Sequence, residues 1–151
     1  MAVTERLSAG LVVRSLLVGW ASGARASLGP GSATLTGGGR RVVRVGAATS
    51  IVGELVGDKL PTAPSRLAHG GAGLRAIAGA TAAVMLARRV GAPPVVPALA
   101  GAVAGFVGTH AGASWRRWAV GRMPDVQAAL LEDVVAIGAA ALACLPGRPT
   151  G

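Results

Sequence analysis

"ALAGAVAGFVGTHAGA", residues Ala98 to Ala113, decides how this chain is read. It carries no charge, and only Thr109 and His110 interrupt its apolar and glycine residues. Gly101 and Gly105 are four residues apart, and so are Gly108 and Gly112. Residues four apart share one face of a helix. A face of small residues lets two helix backbones approach closely inside a membrane. The segment therefore predicts a membrane helix that packs through its glycines.

The segments on either side extend the pattern. Downstream, "WRRWAVGR" (115–122) supplies Trp115 and Trp118 as interface anchors, with arginines for phosphate headgroups. Pro124 and Asp125 open a last helix over Val126 to Leu145, with Asp125 placed to cap it. Upstream, Gly91 to Pro97 reads as a Pro-rich connection. Before it, an apolar helix runs over Leu74 to Ala87, begins near Gly71, and is closed by Arg88 and Arg89. Val42 to Gly57 is a shorter helix near the lower limit for spanning, and Gly53 and Gly57 offer a close helix contact there. The first apolar run is Leu7 to Trp20. A signal peptide would use Ala24-Arg25-Ala26 as its cleavage site, but Arg14 breaks the apolar h-region that such a peptide needs. A retained first helix is expected, with Arg14 facing the bundle interior or snorkelling to the interface.

"SGARASLGPGSATLTGGG" (22–39) is different. It is too short and too broken for an ordinary spanning helix. Two readings stand: an external loop, or a broken or re-entrant segment whose backbone must be covered by protein or water.

Composition agrees with a bilayer. Hydrophobic residues make up 52% of the 151 and charged residues 14%, against roughly 25% charged in an average soluble domain. With one Phe and no Tyr, a soluble core would be thin. Mean hydropathy is +0.57. The net charge of +9 comes from arginines that punctuate apolar runs, whereas a nucleic-acid binder frames a basic face on a polar domain. Lipid is the expected partner and nucleic acid is not. Basic residues fall in successive loops on both sides, so the positive-inside count leaves orientation open. Cys144 stands alone, which excludes an internal disulfide and a cysteine metal site.

Candidate chemistry sits in the few acidic residues. In "IVGELVGDKLPTAPSR" (51–66), Glu54 and Asp58 share a helix face, Lys59 is beside them, and Pro61 and Pro64 stop the helix. Glu132 and Asp133 lie about 10 Å into the last helix at 1.5 Å per residue, pointing about 100° apart. A carboxylate in a bilayer is costly unless it is paired or hydrated. Each of these is thus either a binding or proton-coupled site, or a structural ion pair with a neighbouring helix. Arg25 is the natural basic counterpart, in a segment where free backbone N–H groups could also hold an anion. Arg66, Arg75 and His110 are weaker candidates. His110 and His69 lack the companions of a metal site. HExxH, Walker, GxSxG and dinucleotide motifs are missing, so neither metal nor cofactor is expected and an enzyme is disfavoured.

"SGARASLG", "GELVGDKLPTAPSR", Arg75 with Gly79, and "LLEDVVAIG" together resemble a family of small bacterial integral membrane proteins, a domain of unknown function numbered four-one-two-six. The Glu-x-x-x-Asp-Lys-x-Pro element at Glu54, Asp58, Lys59 and Pro61 carries most of the resemblance, which runs from Leu11 to Leu145. It implies a multi-helix membrane protein with no assigned activity. It also implies that Arg25, Glu54, Asp58, Lys59 and Glu132 belong to one site.

The expectation is thus a single all-α domain, a polytopic bundle of four to six membrane-embedded segments in a bacterial inner membrane. Its leading function is that of a small transporter or channel-like protein, working alone or as a homo-oligomer, with an anionic lipid or a small ion as its partner. The alternatives are a membrane enzyme or binder acting on lipid phosphates, and a structural subunit of a membrane complex.

Overall fold

The computed structural model describes residues 7–57 and 70–145, and these form six α-helices with no strand among them. They are α1 (Ala9–Ala24), α2 (Leu28–Thr36), α3 (Arg41–Gly57), α4 (Gly71–Arg89), α5 (Val95–Ala119) and α6 (Asp125–Cys144). By length and composition, α5 and α6 are apolar enough to cross a membrane, and α1 is a shorter apolar helix.

α1 is the axis of the bundle and packs on α4, α5 and α6. It runs parallel to α5: Gly19 lies against Gly101, and Gly23 against Gly105 and Gly108. It runs antiparallel to α6, because Arg14 reaches Ala143 while Arg25 reaches Asp133. At Arg25 the chain turns extended (φ −140°, ψ 114°), and α2 then runs back along α1. Gly29 abuts Ser22 and Val18, and Arg89 at the end of α4 bonds Ala33 and Thr36. α1 and α2 are therefore a helical hairpin that enters and leaves at one end of the bundle. Its tip, residues 25–27, stops part-way up. Asp133 at the tip lies about 12 Å from the start of α6 at 1.5 Å per residue.

Glycine makes the close packing of α1, α4 and α5. A Cβ at Gly101 would lie 2.3 Å from the Gly79 carbonyl oxygen, and one at Gly19 would lie 2.4 Å from the Gly101 carbonyl oxygen. Neither could be accommodated without moving backbone. The buried hydrophobic residues are mostly alanines, with Leu11, Val18, Leu28 and Leu86. The large apolar side chains point outward instead, among them Val42, Ile77, Leu99, Phe106, Val134 and Leu142.

Several sequence expectations are corrected. Ser22 to Gly39 is not an external loop but a broken helical segment: α1 continues to Ala24, the chain breaks at residues 25–27, and α2 takes residues 28–36. Ser27 at the N-cap and Pro30 in the first turn suit a helix start, where the missing proline N–H is no loss. The Pro-rich connection is shorter than Gly91 to Pro97, because α5 begins at Val95 and tolerates Pro97 in its first turn. α5 also runs through the Trp-Arg-Arg-Trp stretch to Ala119. Asp125 does not cap α6. Pro124 takes the N-cap position, and the Asp125 carboxylate binds Arg116 at 2.9 and 3.0 Å. Among the described residues Gly53 and Gly57 make no close helix contact: a Cβ at either would meet nothing within 4 Å. α3 has no buried residue and lies on the outside of α2. Arg14 faces the bundle. Its Nε donates to the Ala143 carbonyl, one of the end carbonyls of α6 that lack an intrahelical partner.

Candidate functional site

A helix that breaks inside a bundle leaves two sets of unsatisfied backbone groups, carbonyls at one end and N–H groups at the other. The first end carries a partial negative charge and the second a partial positive one. At the α1–α2 tip, each end is met by the opposite charge.

Arg25 terminates α1 and is buried, only 1% exposed. Its Nη1 donates to the Ala24 carbonyl at 3.4 Å, and its Nη2 donates to Asp133 Oδ1 at 2.6 Å. Asp133 is itself buried on α6. A buried guanidinium–carboxylate pair is viable only with close geometry and further hydrogen bonds, and the short bond supplies the first of these. Thr109 on α5 adds a hydroxyl that donates to the Gly23 carbonyl at 3.3 Å as well as to Gly105 in its own helix at 2.8 Å.

Glu54, near the end of α3, covers the start of α2. Its carboxylate accepts from the Ala26 N–H at 2.8 Å, from the Ser27 N–H at 2.7 Å and from the Ser27 hydroxyl at 2.6 Å. Ser27 is the N-cap residue of α2, yet it makes no side-chain cap bond to the helix. A carboxylate from another helix stands at that end instead, where the macrodipole favours negative charge. Arg75 on α4 lies beside it, with Nη2 3.7 Å from Glu54 Oε1.

The structure thus brings Arg25, Glu54, Arg75 and Asp133 into one polar layer around three backbone residues. Arg25, the basic counterpart expected for the acidic residues, pairs with Asp133. Arg75, a weaker candidate from the sequence, is the arginine beside Glu54. Glu132 turns away from its neighbour, as adjacent helical positions must. It lines a cleft of about 350 Å³ between α5 and α6, with Trp20, Ala24, Trp115 and Leu131 among its walls. The Trp115 indole N–H donates to the Ala128 carbonyl at 3.0 Å and fixes one wall. His110 stays outside the layer. It is exposed on α5, with Nδ1 2.9 Å from its own helix at the Phe106 carbonyl. Asp58, Lys59 and Arg66 lie outside the described residues. Among the described residues no three His, Cys, Asp or Glu side chains are grouped to hold a metal ion.

Sequence reasoning missed Ser27 and Thr109. Ser27 was findable, because a serine just before an apolar residue is a helix-start signal, with Pro30 tolerated in the first turn. Thr109 gave no signal, since its role depends on α5 lying parallel to α1. Compared with known proteins, the chain matches no family model, no curated protein and no solved structure.

Proposed function

We propose that this chain is a multi-pass protein of a bacterial inner membrane, of the small uncharacterised family its motifs resemble, and that it works as a small ion carrier or channel-like transporter. The observation that carries the reading is the pair of opposed helix ends at the hairpin tip, each met by a side chain of opposite charge. Broken helices with ends aimed at midplane charges are the material of transporter sites. The outward-facing large apolar side chains over an alanine and glycine interior support lipid as the surrounding solvent.

In this reading Glu54 is the exchangeable ligand. As a carboxylate it holds the Ala26 and Ser27 amides. Once protonated it loses acceptor capacity towards three donors, and a small anion takes its place at the start of α2 beside Arg75. Arg25 and Asp133 hold the tip in position throughout. Proton binding at Glu54 and ion binding at the amides are then coupled. Protein reconstituted in liposomes tests this by proton-coupled ion flux. The expected result is flux in the wild type and its loss in a Glu54→Gln variant that keeps its helicity. Unchanged flux in that variant removes the proposal.

A second reading is favoured by α3, which has no buried residue along 17 positions. In it the chain is a subunit that binds another copy or another membrane protein through α3, and the charge layer is a structural clasp. A single stoichiometric partner on co-purification, with no flux, would select it.

A further inference from the structure

The end of the bundle where the α1–α2 hairpin enters carries an arginine cluster that the transport reading does not use. Arg40, Arg41 and Arg44 lie at the start of α3, and Arg88 and Arg89 at the end of α4. Arg89 is engaged with the end of α2. Arg41 and Arg44 are exposed, and their side chains form no hydrogen bond or ion pair among the described residues. All four described acidic residues lie elsewhere: Glu54, Glu132 and Asp133 near the hairpin tip, and Asp125 at the opposite end.

The two arginines line a groove of about 510 Å³ between the end of α2 and the start of α3. Its other walls are Leu35, Gly39, Val45 and Ala48. The spacing explains the arrangement. Positions 41, 44, 45 and 48 recur every three or four residues, so they share one helix face. On that face two guanidiniums come first and two apolar residues follow, facing Leu35. The groove is therefore cationic at the bundle end and apolar further in. Guanidinium pairs match phosphate geometry, with several donors in a fixed fork. The first-turn N–H groups of α3 add partial positive charge at the same end.

We infer that the α2–α3 groove is a binding site for an anionic phospholipid, with its headgroup phosphate on Arg41 and Arg44 and an acyl chain against Leu35, Val45 and Ala48. Two things decide for a lipid over free phosphate: the apolar walls directly behind the guanidiniums, and the position at a bundle end, where headgroups sit. The inference rests on the membrane placement of the bundle and is independent of transport.

Native mass spectrometry of the full chain tests it, with phosphatidylglycerol, phosphatidylcholine and glycerol 3-phosphate as probes. The wild type is expected to retain phosphatidylglycerol over phosphatidylcholine by about tenfold or more, given two arginines at a charged surface. An Arg41→Gln/Arg44→Gln variant loses that preference at unchanged helicity, while Arg117→Gln at the opposite end keeps it. Equal retention of the two lipids by the wild type overturns the site, as does a double variant that keeps the preference. Displacement of phosphatidylglycerol by equimolar glycerol 3-phosphate would make it a phosphate site and overturn the lipid assignment. Carbonate washing of native membranes separates the two levels. Release of the wild type overturns the membrane placement and the site together, whereas retention without lipid preference overturns the site alone.

Discussion

The α1–α4–α5 seam and helix α3 are built from similar residues, yet one is closed and the other open. Gly19, Gly79 and Gly101 meet backbone to backbone, with no room for a methyl group. Gly46, Gly53 and Gly57 on α3 face open space, and the valines around them are exposed. The difference is not one of composition. It lies in whether a glycine face meets another helix whose backbone is equally bare, which is a property of pairs. A glycine stripe on one helix therefore marks a capacity for close packing, and only a partner stripe turns it into a contact.

The largest effect expected is on the closed side, at the pair that ties the seam to α6. Arg25→Ala leaves Asp133 as a buried charge without its guanidinium, at a cost of about 3–5 kcal/mol. Thermal unfolding in detergent should show it. Replacing both residues, Arg25→Met with Asp133→Leu, should recover most of that stability. If the double variant is no more stable than the single, the pair is not the seam's tie. Next comes Gly101→Ala, whose new methyl carbon would sit against the Gly79 carbonyl oxygen. Overpacking of this kind costs about 1–3 kcal/mol, measurable in the same unfolding experiment. A neutral outcome would mean that the seam is looser than its distances state.

Glu54→Ala is expected to have an effect of similar size, because Glu54 joins the open helix to the closed hairpin. Loss of a carboxylate that accepts three hydrogen bonds should cost about 1.5–3 kcal/mol. It should also raise proteolytic cleavage within α3 before any other helix. Uniform protection across the chain would show that α3 is held by something other than Glu54. The smallest effect is expected at Gly53→Ala. With nothing near the added methyl group, the gain in helix propensity should be neutral to stabilising by about 0.5–1 kcal/mol. Clear destabilisation there would indicate that the α3 face is covered in the native assembly, and would favour the second reading.

Much of this was legible in the sequence, for particular reasons. The apolar runs and their arginine and proline boundaries gave the helices, because interior helices announce themselves by length and composition. The α1–α2 break was legible as an anomaly, with Arg25 in a glycine- and serine-rich stretch, but its hairpin geometry was not. Direction of return is set by what covers the tip, and Glu54 and Thr109 are far away in the chain. That Asp133 on α6 pairs with Arg25 was illegible for a similar reason. Glu132 and Asp133 differ by about 100° in direction, and the rotation of α6 against α1 sets what each one meets. Gly53 and Gly57 were over-read, because spacing on one helix cannot report whether a partner exists.

The hairpin has a consequence for how the chain is made. Arg25 and its partner Asp133 are 108 residues apart, and the glycines of α5 that cover α1 come late as well. During synthesis the first hairpin therefore emerges long before the surfaces that bury it. Its charged tip has to be kept hydrated until α5 and α6 arrive. Docking α1 and α2 is then a late step in folding, although they are translated before α5 and α6. A ribosome stalled before α6 should leave Arg25 accessible to a water-soluble reagent for guanidinium groups, and completion of the chain should close it.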